Sequence, residues 1–94
     1  MFRLDGKVAA ITGATRGIGR KMAVALAEAG ADIASLQRNV NDVALKGEIE
    51  SLGKNCIVVP CNMEDTAQVK AAIPTVIKEL GKIDILVNNA GIQR

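Results

Sequence analysis

Histidine, tyrosine and tryptophan are absent from this chain, and phenylalanine occurs once. Acid–base chemistry within it would have to come from Asp, Glu, Lys or Cys, which narrows the reactions open to it. With no histidine and only two cysteines, a metal site lacks ligands. Cys56 and Cys61 fall on what reads as one strand, an odd number of residues apart, so their side chains point to opposite faces. They should not pair with each other and read as buried core thiols. Long hydrophobic runs are missing too, so no membrane span is expected. Met1-Phe2-Arg3-Leu4-Asp5 has no signal-peptide core, which makes the cytoplasm the default location. The net charge of +2 comes with dispersed basic residues and offers no footprint for nucleic acid.

What remains is globular in kind, with 49% hydrophobic and 23% charged residues. Ninety-four residues make one domain at most. The most informative stretch is Thr12-Gly13-Ala14-Thr15-Arg16-Gly17-Ile18-Gly19, which follows the apolar run Val8-Ala9-Ala10-Ile11 and leads into helix formers. A buried strand, a glycine turn and a helix make a phosphate cradle. Glycine permits close backbone approach, and the helix amino end presents unpaired N–H groups and partial positive charge. The spacing is G-x-x-x-G-x-G rather than G-x-G-x-x-G. By itself the same pattern would also serve a plain strand–helix turn.

Taken in order, the pattern predicts a turn at Asp5-Gly6, a strand over 8–12 and a helix from about Gly17 to Ala29 closed by Gly30. A second strand runs over 31–37, and a helix over 43–52 is weakened by Gly47. The third strand spans 56–61, with Pro60 marking an edge. The third helix spans 65–80, with Pro74 expected to kink or restart it, and the fourth strand lies over 83–87. Alternating strands and helices imply parallel pairing, hence an α/β, Rossmann-like doubly wound sheet of the order β-α-β-α-β-α-β.

Ligands of such sheets sit beyond the carboxyl ends of the strands. Four segments reach that edge: Gly13 to Gly19, Gln37-Arg38, Asn62-Met63 and Asn88 to Gly91. About twenty residues past the glycine turn, an acid reads an adenosine 2′-hydroxyl, whereas an arginine accommodates a 2′-phosphate. Gln37-Arg38 stands there, so no carboxylate repels a phosphate, and Arg16 adds a second cation. The cofactor expected is NADP, with NAD as the alternative. Asn62 suits either an adenine edge or a cap for the third helix. Of Asn88 and Asn89, one can fasten neighbouring backbone while the other faces a ligand. Lys82 and Asp84 read as solvated element ends.

The turn Thr12-Gly13-x-x-x-Gly17-x-Gly19, together with Asn88-Asn89-Ala90-Gly91 after an Asp-Ile-Leu-Val strand, resembles the short-chain dehydrogenase/reductase superfamily. The resemblance covers essentially the whole chain but only the first half of a typical member. It implies that Gly13, Thr15, Arg16, Gly17, Ile18 and Gly19 line the pyrophosphate and ribose. By the same resemblance Arg38 meets the adenosine phosphate, Asn62 the adenine, and Asn89 with Gly91 the nicotinamide-side ribose. Residues 30–33, Gln37-Arg38 and the ending 90–94 look most like the sugar-acid branch, which acts on 2-deoxy-D-gluconate or gluconate.

The family's catalytic Ser and Tyr-x-x-x-Lys would lie past Arg94. Residues 1–94 are therefore expected to be a cofactor-binding half-domain with no catalytic residues, inactive alone, from a family whose full-length members are usually homo-oligomeric. Two alternatives stand beside this. One is an inert module that holds a dinucleotide or completes a relative's sheet, and the other is a fragment with no stable fold.

Overall fold

The computed structural model describes residues 3–62 and 64–89. Seven elements alternate: β1 (Val8–Thr12), α1 (Gly17–Glu28), β2 (Asp32–Gln37), α2 (Ala44–Ser51), β3 (Cys56–Pro60), α3 (Thr66–Leu80) and β4 (Ile85–Val87). All pairings are parallel, in the order β3-β2-β1-β4. The sheet is Rossmann-like, and its strand order reverses between β1 and β4.

β1 is buried along its whole length because both of its faces are covered. On one face Ala9, Ile11, Ile33 and Cys56 pack with Ala23 and Ala27 of α1 and Leu45 and Ile49 of α2. On the other, Val8, Ala10, Ala34, Leu36, Val59 and Cys61 pack against Val69, Ala72 and Val76 of α3. The two cysteines thus lie on opposite faces, as strand parity dictates, and both are free and buried. Burial pushes the Cys56 thiol up to about 11 and raises that of Cys61, so both stay protonated near neutrality.

The structure decides between alternatives left open by the sequence for α3. Asn62 does not cap α3; Asp65 does, accepting the Ala67 N–H at 3.0 Å. Pro74 does not restart α3, which runs as one helix from Thr66 to Leu80. Pro74 and Lys70, whose carbonyl loses its partner, both belong to the exposed side, where water can replace the missing bond. Gly81 ends α3 in the left-handed conformation at φ 91°. Pro60 does lie on an edge strand, since β3 pairs only with β2.

Asp84 is more than a solvated element end. Its carboxylate accepts the Val8 N–H at 2.9 Å while its own N–H donates to the Val8 carbonyl at 2.9 Å. Together these fasten β4 to the start of β1. The Val8 N–H, with help from Lys82, holds the Asp84 carboxyl below the usual carboxylate range. No helix among the described residues is long and apolar enough to cross a membrane. No cluster of metal-ligating side chains occurs among them either.

Candidate functional site

The reversal of strand order places the carboxyl ends of β1 and β4 side by side, and the glycine turn leaves from one of them. Gly13 and Gly17 take φ 67° and 66°, which lets residues 13–17 turn tightly into α1. Arg16, at the helix start, is extended (φ −159°, ψ 169°) and makes no side-chain cap; the first turn of α1 carries no acid. The amino end of α1 is therefore left with its donors and its partial positive charge uncompensated by side chains. Thr15 is half-buried, whereas Arg16 and Ile18 are exposed.

Gly19 has a different surrounding. A Cβ there would sit 2.9 Å from the Gly13 carbonyl carbon and closer still to the Gly13 oxygen and Asn89 Nδ2. Only glycine lets α1 approach the end of β1 this closely. The same spot is tied across the strands. The Asn89 N–H donates to Thr12 Oγ1 at 2.7 Å, and Asn89 Nδ2 donates to the Gly13 carbonyl at 3.3 Å. Thr12 Oγ1 in turn can donate its one proton to Asn88 Oδ1 at 3.1 Å or to the Val87 carbonyl at 3.5 Å. Thr12 and Asn89 are 0% and 2% exposed, so the two bonds that Asn89 donates are shielded from water. Asn89 Oδ1 is buried with no hydrogen-bond partner among the described residues.

The β2–β3 end of the same edge holds the other predicted residues. Gln37, read from the sequence as the ribose-facing position, is buried at 3% exposure. Its Oε1 accepts from Ser35 Oγ at 2.6 Å, and its Nε2 donates to the carbonyls of Asn39 and Asp42 at 2.6 and 2.8 Å. The amide is thus consumed in shaping the loop after β2. Arg38 points out: its Nη2 donates to Asn62 Oδ1 at 3.1 Å and lies 3.9 Å from Glu64 Oε1. Asn62 holds the loop, its N–H donating to Gln68 Oε1 at 2.8 Å and its Oδ1 accepting the Glu64 N–H at 3.1 Å.

The structure therefore groups the predicted residues into two sets, Gly13 to Gly19 with Asn89, and Arg38 with Asn62. Gly91 lies outside the described residues. Thr12, Arg20 and Glu64 were not singled out as side chains by the sequence reading. Arg20 bonds Glu48 Oε1 through Nε at 3.1 Å and Nη2 at 2.9 Å, and reaches the Thr15 carbonyl at 3.3 Å, bracing the turn against α2. No local spacing signals the Arg20–Glu48 contact, because the two residues are distant in sequence.

A family model for the short chain dehydrogenases matches residues 7–94. The chain belongs to this family. A 2-dehydro-3-deoxy-D-gluconate 5-dehydrogenase of Pseudoalteromonas atlantica is 48% identical over 94 residues, covering 96% of this chain and 36% of the relative. A metagenomic short-chain oxidoreductase solved in complex with NADP superposes with a TM-score of 0.84 at 36% identity, covering 95% of this chain and 41% of that one. Carveol dehydrogenase from Mycobacterium avium, solved in complex with NAD, gives a TM-score of 0.80 at 30% identity, covering 92% and 36% of the two chains. This short chain dehydrogenase sequence spans about a third of the length of the curated relatives it matches.

Proposed function

We propose that residues 1–94 are the cofactor-binding, amino-terminal Rossmann half-domain of an NADP(H)-dependent oxidoreductase. Its reaction interconverts a CH–OH and a keto group, on a sugar acid such as 2-deoxy-D-gluconate or gluconate. The observation that carries the reading is the carboxyl edge of β1 and β4, where a glycine turn leads into an uncapped helix start beside a buried amide oxygen of Asn89 that has no partner among the described residues. An unsatisfied buried acceptor is destabilising by roughly 1–3 kcal/mol, and a ligand hydroxyl donating to Asn89 Oδ1 would remove that penalty. The residues present fit a dinucleotide on this ground.

Gly13, Thr15, Arg16, Gly17, Ile18 and Gly19 would then surround the pyrophosphate and its ribose, with the α1 amino end stabilising the negative charge. Arg38 would pair with an adenosine 2′-phosphate, which no carboxylate at position 37 opposes. Asn62 would meet adenine through Nδ2, since its Oδ1 already holds two donors. Asn89 and Gly91 would hold the nicotinamide-side ribose. A bound nicotinamide dinucleotide supplies the hydride acceptor or donor of the reaction. The chain's own residues bind and orient it, and with tyrosine absent they do not deliver the proton that the family's Tyr-x-x-x-Lys supplies. The sugar-acid substrate is supported by the gluconate-type dehydrogenases among the relatives. In this reading the protein is cytoplasmic, and the whole enzyme is a homo-oligomer.

A fluorescence titration with NADPH and NADH tests the proposal. Tighter binding of NADPH is expected; equal affinities would remove the NADP preference, and binding of neither would remove the dinucleotide reading. A sheet-completing interaction module is the second reading. It rests on β4, which among the described residues pairs on one side only and leaves Leu86 48% exposed.

A further inference from the structure

Arg38, Asn62 and Glu64 come from the end of β2, the end of β3 and the turn before α3, and they form one cluster. Arg38 Nη2 and the Glu64 N–H both converge on Asn62 Oδ1, each at 3.1 Å. Both neighbours are donors, so the oxygen of the amide must face them, and its two lone pairs are filled. The Arg38 guanidinium is oriented by that amide and countered by Glu64 Oε1 at 3.9 Å. Glu64 is the carboxylate that forms an ion pair with Arg38 among the described residues. Gln37 contributes nothing outward, because its amide is spent on Ser35, Asn39 and Asp42.

We infer that Glu64 is a specificity-determining residue, competing with an adenosine 2′-phosphate for Arg38 and so restraining the preference for the phosphorylated cofactor. The inference rests on the reading of this edge as a dinucleotide site. A phosphate monoester brings close to two negative charges at neutral pH and must either displace the Glu64 carboxylate from Arg38 or share the guanidinium with it. A free 2′-hydroxyl carries no charge and meets no such conflict. Glu64 therefore acts on one cofactor and not the other. The side chains of Arg38 and Glu64 are 62% and 84% exposed, so water screens the pair and the effect is a modest one.

The test is calorimetric titration of the 94-residue chain with 5′-AMP and with adenosine 2′,5′-bisphosphate, which differ only in the 2′-phosphate. Glu64→Gln keeps the size of the side chain and removes its charge. It should tighten the bisphosphate by about two- to fivefold while leaving 5′-AMP unchanged. In an Arg38→Gln background the same substitution should gain nothing, because the competition has lost its object. A bisphosphate-to-AMP ratio unmoved by Glu64→Gln overturns the inference. So does a gain that persists without Arg38, which would show bulk charge rather than competition. If the unsubstituted chain binds both probes and the ratio stays put, only the inference falls. If it binds neither, the dinucleotide reading falls and takes the inference with it.

Discussion

Thr12 ends β1 and Arg38 follows the end of the neighbouring β2, and little else about them is alike. Thr12 is fully buried, and its hydroxyl joins β1 to Asn88 and Asn89, the bond from the Asn89 N–H being short and shielded. Arg38 is mostly exposed, and its partners are an amide and a carboxylate at the surface. The β1–β4 end is built from backbone, glycine and buried polar groups that have one arrangement. The β2–β3 end presents long side chains over a loop that Gln37 has already fixed from beneath. Under the proposed function, a site made this way would separate holding from choosing: the buried end would set where a ligand lies, and the exposed end could change its selectivity without disturbing the fold.

The contrast can be broken by substitution. The largest effect is expected at Gly19, where alanine would force a Cβ into the Gly13 carbonyl and the Asn89 amide. Gly19→Ala should destabilise the chain by about 2–3 kcal/mol in urea unfolding, and a loss below about 1 kcal/mol would mean the rigid end yields. Thr12→Val keeps the shape but removes the acceptor of the buried Asn89 N–H. Its expected loss is about 1–2 kcal/mol, read by the same unfolding curve. Arg38→Gln should change stability by less than about 0.5 kcal/mol while weakening NADPH about tenfold and NADH hardly at all. A stability loss at Arg38 comparable to that at Thr12 would erase the distinction between the two ends.

Much of the frame was legible in the sequence because it is local. β1 runs over Val8–Thr12 as its apolar run indicates, and the opposite facing of Cys56 and Cys61 follows from strand parity alone. What the sequence left open or misplaced involves choices between neighbours or distant partners. Asn62 and Asp65 are both good caps, and only the path of the loop decides that Asp65 takes the helix while Asn62 takes Glu64 and Arg38. Gln37 was placed at the right strand end, yet its side chain turns inward because Ser35 and two loop carbonyls satisfy its amide. Pro74 breaks a bond on the exposed side, where the remaining turns of α3, packed through Val69, Ala72 and Val76, hold the helix together. Asp84 reads as a surface charge until Val8, far upstream, is seen to need its carboxylate.

The lock between Thr12 and Asn89 also has a history as well as a place. It joins residues 77 positions apart, and Asn89, just past β4, follows the last of the four described strands in chain order. β1, α1 and β2 can associate through short loops as soon as they exist, whereas the β1–β4 contact must wait for α2, β3 and α3 to be made, a slow step for a parallel pair. The glycine turn is written early and meets its partner late. Until Asn89 arrives, a nascent chain carries the turn without the amide that ties it to the neighbouring strand, so order at this edge waits on β4.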